Sequence, residues 1–169
     1  IPTWAGIDNI CYWFWVLQVN TTWFSNTANG YTALSNNTSW YNNSAFWHTT
    51  LTNNLTGLQN TAIGSHALQA NINWNNNTSL GVESMQSNIN GSDNTITWYR
   101  ANVSNTNWSS NSIYGFSAWQ GLTSWNNNSA FGSNTDFINP TGSNQLNIAN
   151  IIFGNWLTGN AGAPLGNVG

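Results

Sequence analysis

The side chains that could carry out acid–base, nucleophilic or metal chemistry are few in this chain of 169 residues. It contains two histidines, one cysteine, four carboxylates, one arginine and no lysine. A hydrolytic triad or a zinc site needs several such groups converging on one point. The question for His48, His66 and Cys11 is therefore which elements hold them, and whether those elements bring any of them together.

A 17-residue repeat organises the chain and decides where those side chains lie. An asparagine opens a similar phrase eight times, most clearly in NTAIGSHALQANINW from Asn60 and NTSLGVESMQSNING from Asn77. Short β segments between turns rich in Asn, Gly, Ser and Thr fit one coil per repeat. The opening asparagines are Asn9, Asn26, Asn43, Asn60, Asn77, Asn94, Asn111 and Asn128.

We therefore predict an all-β fold, a parallel β-solenoid or β-roll with 17-residue coils stacked about 4.8 Å apart. Residues 1–8 are expected to form a partial N-terminal coil, residues 9–138 the eight-coil solenoid, and residues 139–169 a closing or neck segment in which the repeat register is lost. A coil this short encloses a thin core and leaves apolar surface to be buried between chains. A homotrimer is the natural expectation.

The reactive groups do not converge on this arrangement. His48 and His66 occupy neighbouring columns of adjacent coils, so their side chains are expected on opposite faces, as turn or surface histidines rather than metal ligands. Glu83 and Arg100 are separated by one full repeat and are predicted to form a surface ion pair between neighbouring coils. The sequence predicts no catalytic residue, no cofactor site and no metal site.

Two columns indicate how the coils are held together. The residue two positions after each opening asparagine is small or apolar from Cys11 to Ala130, which predicts a tightly packed interior. Eleven positions after the opening asparagine, another asparagine recurs, and stacked asparagines can hydrogen-bond amide to amide along a ladder. This predicted structural ladder comprises Asn20, Asn37, Asn54, Asn71, Asn88 and Asn105.

Two further columns hold only glycine or tryptophan. A turn that requires glycine, through a positive φ or a close backbone, is a poor site for tryptophan, and Ala, Ser, Asn or Asp would be expected there first. Four positions after the opening asparagine, the first Gly/Trp column reads Trp13, Gly30, Trp47, Gly64, Gly81, Trp98, Gly115 and Gly132. Fourteen positions after it, the second Gly/Trp column reads Gly6, Trp23, Trp40, Gly57, Trp74, Gly91, Trp108, Trp125 and Gly142.

Three explanations of these columns stay open. In the first, the tryptophans form exposed aromatic columns on an outward corner, which would bind glycans or hydrophobic partners. In the second, the gene is read in a code in which UGA means glycine, as in some uncultured bacterial lineages and their phages, and a conventional translation writes tryptophan. UGA and the glycine codon GGA differ by one letter. In the third, the residues were misassigned by another route.

With tryptophan read as glycine, the phrases NTAIGSHAL, NNSAFGS and NTSLGVESM resemble the Asn/Gly-rich head repeats of trimeric autotransporter adhesins and of bacteriophage tail fibres. The terminal SNQLNIANIIFGNWLTG and PLGNVG look like the segment that precedes a C-terminal self-cleaving chaperone in many such fibres. The resemblance covers residues 9–169. It implies a homotrimeric parallel β-roll or β-helix, rigid and extracellular, that displays or constitutes a binding surface.

The charge composition excludes several classes of partner. One arginine and no lysine cannot neutralise a phosphate backbone or an anionic membrane, so no nucleic acid partner is expected. The longest apolar run, residues 10–17, is too short to span a bilayer, so no membrane insertion is expected. The remaining partners are the chain itself, as a homotrimer or polymer, and a glycan or protein of a host surface.

We therefore expect a non-enzymatic, structural and adhesive role as the stalk or head of a trimeric fibre, extracellular, at a cell surface or on a virion. A self-assembling extracellular filament is the alternative, because open strand edges at solenoid ends can stack. A carbohydrate- or ice-binding solenoid is a weaker candidate. Closed trimers have a fixed length, whereas a polymer lengthens with concentration.

Overall fold

The computed structural model describes residues 8–13, 15–18, 24–38, 41–104, 106–120, 126–135, 142–148 and 152–155, the last four as backbone only. Every regular element in this part of the chain is a β-strand. Within the described ranges there is accordingly no helix suited to crossing a bilayer.

Ten short strands form one sheet in chain order, so each strand pairs with the next one along the chain. Strands β1 to β9 pair in parallel, and β10 is antiparallel to β9. The strands are β1 (Ile10–Tyr12), β2 (Thr27–Asn29), β3 (Ser44–Phe46), β4 (Thr61–Ile63), β5 (Thr78–Leu80), β6 (Thr95–Thr97), β7 (Ser112–Tyr114), β8 (Ser129–Phe131), β9 (Gln145–Ile148) and β10 (Ile152–Asn155).

A constant 17-residue offset defines the stack, as in the pairing of Ala45 with Ala62. The parallel strands form a β-solenoid of about seven turns. The predicted all-β fold, its parallel solenoid architecture and the 17-residue coil are confirmed.

The 17-residue pairing of the backbone continues beyond residue 139, where the repeated sequence pattern ends. We expected the register to be lost from residue 139, but Ser129 of β8 still pairs with Leu146 of β9 at the same 17-residue offset. Gln145 stands in the place of an opening asparagine, and its backbone N–H donates to Asn128 Oδ1 at 2.9 Å. That bond needs only a backbone amide, so it survives the change of side chain. The direction of pairing changes only at β10.

Residues with positive φ form the corners of each coil. They recur one position before the opening asparagine, in the first Gly/Trp column, and six and eight positions after the asparagine. In one coil these are Asn42 at 61°, Trp47 at 101°, Thr49 at 54° and Leu51 at 50°. A left-handed residue turns the chain sharply within one position. Corners of this kind allow a short strand and its return path to fit into a single repeat.

The interior of the coil is a thin core of small apolar side chains flanked by asparagines. The column at the centre of the strands is fully buried from Ala28 to Ala130, as its small or apolar character predicted. It belongs to one cluster with the residues seven and eight positions after the opening asparagine, among them Ala67 and Leu68. A single chain therefore buries this core without a partner.

Candidate functional site

The opening asparagines lie inside the coil and tie each coil to the next. The backbone N–H of Asn60 donates to Asn43 Oδ1 at 3.0 Å. The Asn60 side-chain amide donates to the Trp74 carbonyl at 2.8 Å. The backbone bond recurs at each step from Asn26 to Asn128. Because buried polar groups are costly unless they are hydrogen-bonded, this column needs a side chain with both an acceptor and a donor.

The second asparagine column forms a continuous amide ladder over the coils that the structure describes there. Asn71 Nδ2 donates to Asn54 Oδ1 at 2.9 Å and to the Trp74 carbonyl at 3.0 Å. The same amide-to-amide bond joins Asn54 to Asn37 and Asn88 to Asn71. All four side chains are buried. Asn20 and Asn105 of the predicted ladder lie outside the described residues.

The two histidines lie side by side, and the expectation that they point to opposite faces is wrong. Their ring centroids are 5.6 Å apart. Strand alternation does not apply to them, because His48 lies in the turn after β3 and His66 in the turn after β4, where its φ is 61°. His66 Nδ1 is 2.9 Å from Ser65 Oγ. In the described part of the chain, no group of three or more His, Cys, Asp or Glu side chains could hold a metal ion.

The remaining reactive groups have structural or solvent-exposed positions. Arg100 Nε lies 3.1 Å from Glu83 Oε2, which confirms the predicted ion pair between coils. Both side chains are substantially exposed, so the pair stabilises the fold by about 0.2–1 kcal/mol. Partial burial raises the pKa of the Cys11 thiol, which keeps it protonated and weakly nucleophilic.

The tryptophans of the first Gly/Trp column are exposed and have a strained backbone. Trp13, Trp47 and Trp98 are 74%, 66% and 64% exposed. Their φ values are 99°, 101° and 96°, whereas glycines of the same column lie between 124° and 151°. Ordinary residues with left-handed backbones cluster near 60°. The indoles of this column therefore project into solvent from a backbone conformation that suits glycine.

The second Gly/Trp column lies against the two asparagine ladders. Trp74 is half-buried, and its Nε1 donates to Asn90 Oδ1 at 3.0 Å. Trp108 is fully buried, so the expectation of an exposed column is wrong at this position. The physical reason is that its indole packs against the buried ring of Trp119, with ring centroids 4.4 Å apart, while Asn94 Nδ2 donates to its backbone carbonyl at 2.6 Å. Predicted members outside the described residues are Trp23, Trp40 and Trp125.

A stripe of exposed apolar side chains runs along the solenoid on both sides of the first Gly/Trp column. We call it the apolar stripe and define it as the residues three and five positions after each opening asparagine. Neither column carries Asp, Glu, Lys or Arg between residues 12 and 148. Its exposed members are Tyr12, Ile63, Leu80, Phe131 and Ile148 in the first column, and Tyr31, Val82, Tyr99 and Phe116 in the second.

Aromatic rings stack from coil to coil within the apolar stripe. The rings of Tyr114 and Phe131 are 5.1 Å apart and nearly parallel, with an angle of 4°. Tyr99 and Phe116 stack with centroids 5.5 Å apart. The stripe is therefore an ordered surface rather than a scatter of exposed residues. Sequence reasoning missed it because both columns mix aromatic and aliphatic residues with Asn, Ser and Thr.

A shallow cleft of about 480 Å³ interrupts the stripe between Trp13 and Trp47. Gly30, Tyr31 and His48 also line it. Two of its lining residues are the strained indoles of the first Gly/Trp column, so the cleft depends on tryptophan at those positions.

The comparisons with known proteins add no relative to this description: no family model, no curated protein and no solved structure matches the chain.

Proposed function

We propose that this chain is a structural and adhesive segment of an extracellular fibre, in which three copies pack side by side through the apolar stripe. The observation that carries the proposal is the stripe itself. A chain that buries its own core still exposes a line of aromatic and aliphatic side chains from Tyr12 to Ile148. An ordered exposed apolar surface of this kind is typical of an interaction site.

The backbone supports a load-transmitting, rod-like role. Nine parallel strands at about 4.8 Å give a stack of roughly 38 Å. Each coil is joined to the next by backbone ladders and by two columns of buried asparagine amides. A stack held in this way has few ways to bend between coils.

A second and third copy of the chain are the partners that the stripe fits best. It carries no charge that would repel an identical surface. Stacked ring pairs recur at the coil spacing, so a parallel copy in register places exposed apolar side chains opposite identical ones at positions such as Leu80, Tyr99 and Phe116. The threefold number rests on the resemblance to trimeric adhesin heads and tail fibres. The same resemblance supports a location at a cell surface or on a virion, with a glycan or protein of a host surface as the target.

A filament that grows end to end is the second candidate, and the sheet order disfavours it. Growth by stacking requires the last parallel strand to offer a free edge to the first strand of the next copy. In this chain β10 pairs antiparallel along β9 and occupies that edge. Side-by-side packing does not need it.

The proposal is tested by placing a charge in the stripe and measuring the mass of the assembly. Leu80→Asp puts a carboxylate into the stripe at a position that is 36% exposed. Ile89→Asp is the matched control, because Ile89 is 37% exposed and lies further along the same coil, outside the stripe. Sedimentation velocity over a concentration series measures mass, and circular dichroism checks that both variants keep the β fold.

We expect the unmodified chain and Ile89→Asp to sediment as trimers of constant mass, and Leu80→Asp to sediment as a folded monomer. A monomeric unmodified chain at high concentration would overturn the proposal. A mass that rises continuously with concentration would instead establish the filament.

A further inference from the structure

We infer that the tryptophans of the two Gly/Trp columns are glycine in the protein made by its native host, which reads UGA as glycine. Glycine at these positions is a matter of the coil backbone, whether or not the chain forms the fibre proposed above.

The backbone angles of the first column single out these tryptophans. Among the described residues, every other non-glycine residue with positive φ lies between 48° and 63°, which is the left-handed region that ordinary side chains adopt. Trp13, Trp47 and Trp98 alone lie between 96° and 101°. Tryptophan is not the cause in general, because Trp15 and Trp119 adopt 63° and 55° in other columns. The column, rather than the residue type, imposes the unusual angle.

The space around the first column leaves no room for a Cβ atom. A Cβ built on Gly64 would lie 2.5 Å from the Gly81 carbonyl carbon of the next coil. On Gly115 it would lie 2.2 Å from the Gly132 carbonyl oxygen. These contacts are with backbone, which cannot rotate away as a side chain would. At these glycine positions the stacked coils therefore approach so closely that a residue without a side chain is favoured.

The glycine positions of the second column are crowded in the same way. A Cβ on Gly91 would lie 1.9 Å from the Trp108 carbonyl oxygen, and one on Gly57 would lie 2.3 Å from Asn54 Oδ1 of the amide ladder. What the coil uses at this position is the backbone carbonyl. Asn77 Nδ2 donates to the Gly91 carbonyl at 2.7 Å, and Asn94 Nδ2 donates to the Trp108 carbonyl at 2.6 Å. Glycine supplies this carbonyl as well as tryptophan does.

The side chain of Trp108 shows the disadvantage of the larger residue. It is fully buried, and its Nε1 has no hydrogen-bond partner among the described residues. A buried donor without an acceptor is unfavourable. An adaptive choice of residue would place a small side chain here.

The two columns hold glycine or tryptophan and no other residue, and this restriction indicates codon reassignment rather than substitution. Substitution under selection would pass through Ala, Ser or Asn, and none of these occurs in either column. If the host reads UGA as glycine, a conventional translation writes tryptophan at every UGA codon and no other residue. UGA and GGA differ by one base, so glycine positions would drift between the two codons without consequence for the host.

The direct test is peptide mass spectrometry of protein isolated from its native source, over residues 42–59 and 94–115. We expect glycine at Trp47, Trp98 and Trp108 in those peptides. Tryptophan at these three positions would overturn the inference.

A second test uses the chain with tryptophan as printed, made in a host with the standard code. Replacement of Trp47 by glycine is expected to raise Tm by about 2–10 °C, because it removes strain at φ 101°. Trp15→Gly is the matched control, since Trp15 is exposed and has an ordinary left-handed φ of 63°, and its Tm is expected to change by less than that of Trp47→Gly. A Tm that falls on Trp47→Gly would count against the inference. The oligomer measurement of the proposed function is independent of either result.

Discussion

Asparagine is the residue on which this coil depends, because its amide offers a donor and an acceptor on one short side chain. Asn71 shows both uses. Its Nδ2 donates to Asn54 Oδ1 and to the Trp74 carbonyl, and its Oδ1 accepts from Asn88 Nδ2. Serine has too few groups to make all three bonds, and glutamine is one methylene too long for the thin core.

Replacement of the ladder amide by a carboxylate tests this dependence at nearly constant shape. In Asn71→Asp the carboxylate cannot donate, so it faces two acceptor oxygens in a buried site. We expect a loss of about 3–5 kcal/mol at pH 7, the usual cost of an uncompensated buried charge. Urea denaturation followed by circular dichroism measures the loss.

Asn73→Asp is the control for that substitution, because the exposed Asn73 side chain uses its oxygen only to accept from Thr56 Oγ1 at 2.7 Å. A change below about 0.5 kcal/mol is expected for the control. Equal losses in the two variants would mean that the ladder contributes no more than a surface contact.

At the scale of the element, each coil depends on corners whose backbone only some residues can adopt. Gly64 has a φ of 132°, and the carbonyl group of Gly81 in the next coil lies 2.5 Å from where a Cβ would be. The next coil cannot move away from Gly64 without breaking the backbone and asparagine hydrogen bonds that join it to this coil.

Gly64→Ala is therefore expected to cost about 2–4 kcal/mol, from backbone strain together with overpacking. Ser65→Ala, at the next residue, is the control and should cost less than about 1 kcal/mol, since it removes one partly buried hydroxyl near His66. The midpoints of urea denaturation compare the two variants. An alanine tolerated at residue 64 as well as at residue 65 would contradict the close approach of the coils.

The strands and the coil period could be predicted because the asparagines, the small strand-centre residues and the turn residues all recur at one spacing. Three features could not. His48 and His66 sit in a turn, where the alternation of a strand does not apply. Trp108 is buried because its ring packs against that of Trp119 in the next coil, a contact that depends on the three-dimensional path of the chain. The pairing of β9 with β8 continues through backbone bonds that do not require a particular side chain, as at Gln145, so the sequence does not show it.

The apolar stripe was missed for a related reason. Its residues are defined by facing outward on either side of the glycine corner rather than by residue type, so Leu80 and Thr97 share a column. Sequence reasoning identifies columns by likeness of side chains. Orientation follows only from the three-dimensional path of the chain.

At the scale of the whole molecule, the solenoid is a linear array in which each described strand pairs only with its sequence neighbours. Stability in such an array is a sum of coil and interface contributions, so coils with neighbours on both sides are held more firmly than coils near an end. The first described strand and an inner strand use the same type of backbone hydrogen bond to the following coil. Ile10 N–H donates to the Asn26 carbonyl at 2.9 Å, and Thr61 N–H donates to the Asn77 carbonyl at 2.8 Å.

Native-state hydrogen exchange on the assembled protein separates position in the array from bond geometry. Because the two bonds are nearly identical, any difference in protection reports how many coils must open before the amide is exposed. For the chain of 169 residues by itself, we expect Thr61 to exchange at least about tenfold more slowly than Ile10, which corresponds to about 1.4 kcal/mol. Thr78, whose bond to the Asn94 carbonyl is also 2.8 Å, should match Thr61. Equal protection from β1 to β8 would mean that the rod opens as one cooperative unit, with lateral contacts between copies stronger than the contacts between successive coils.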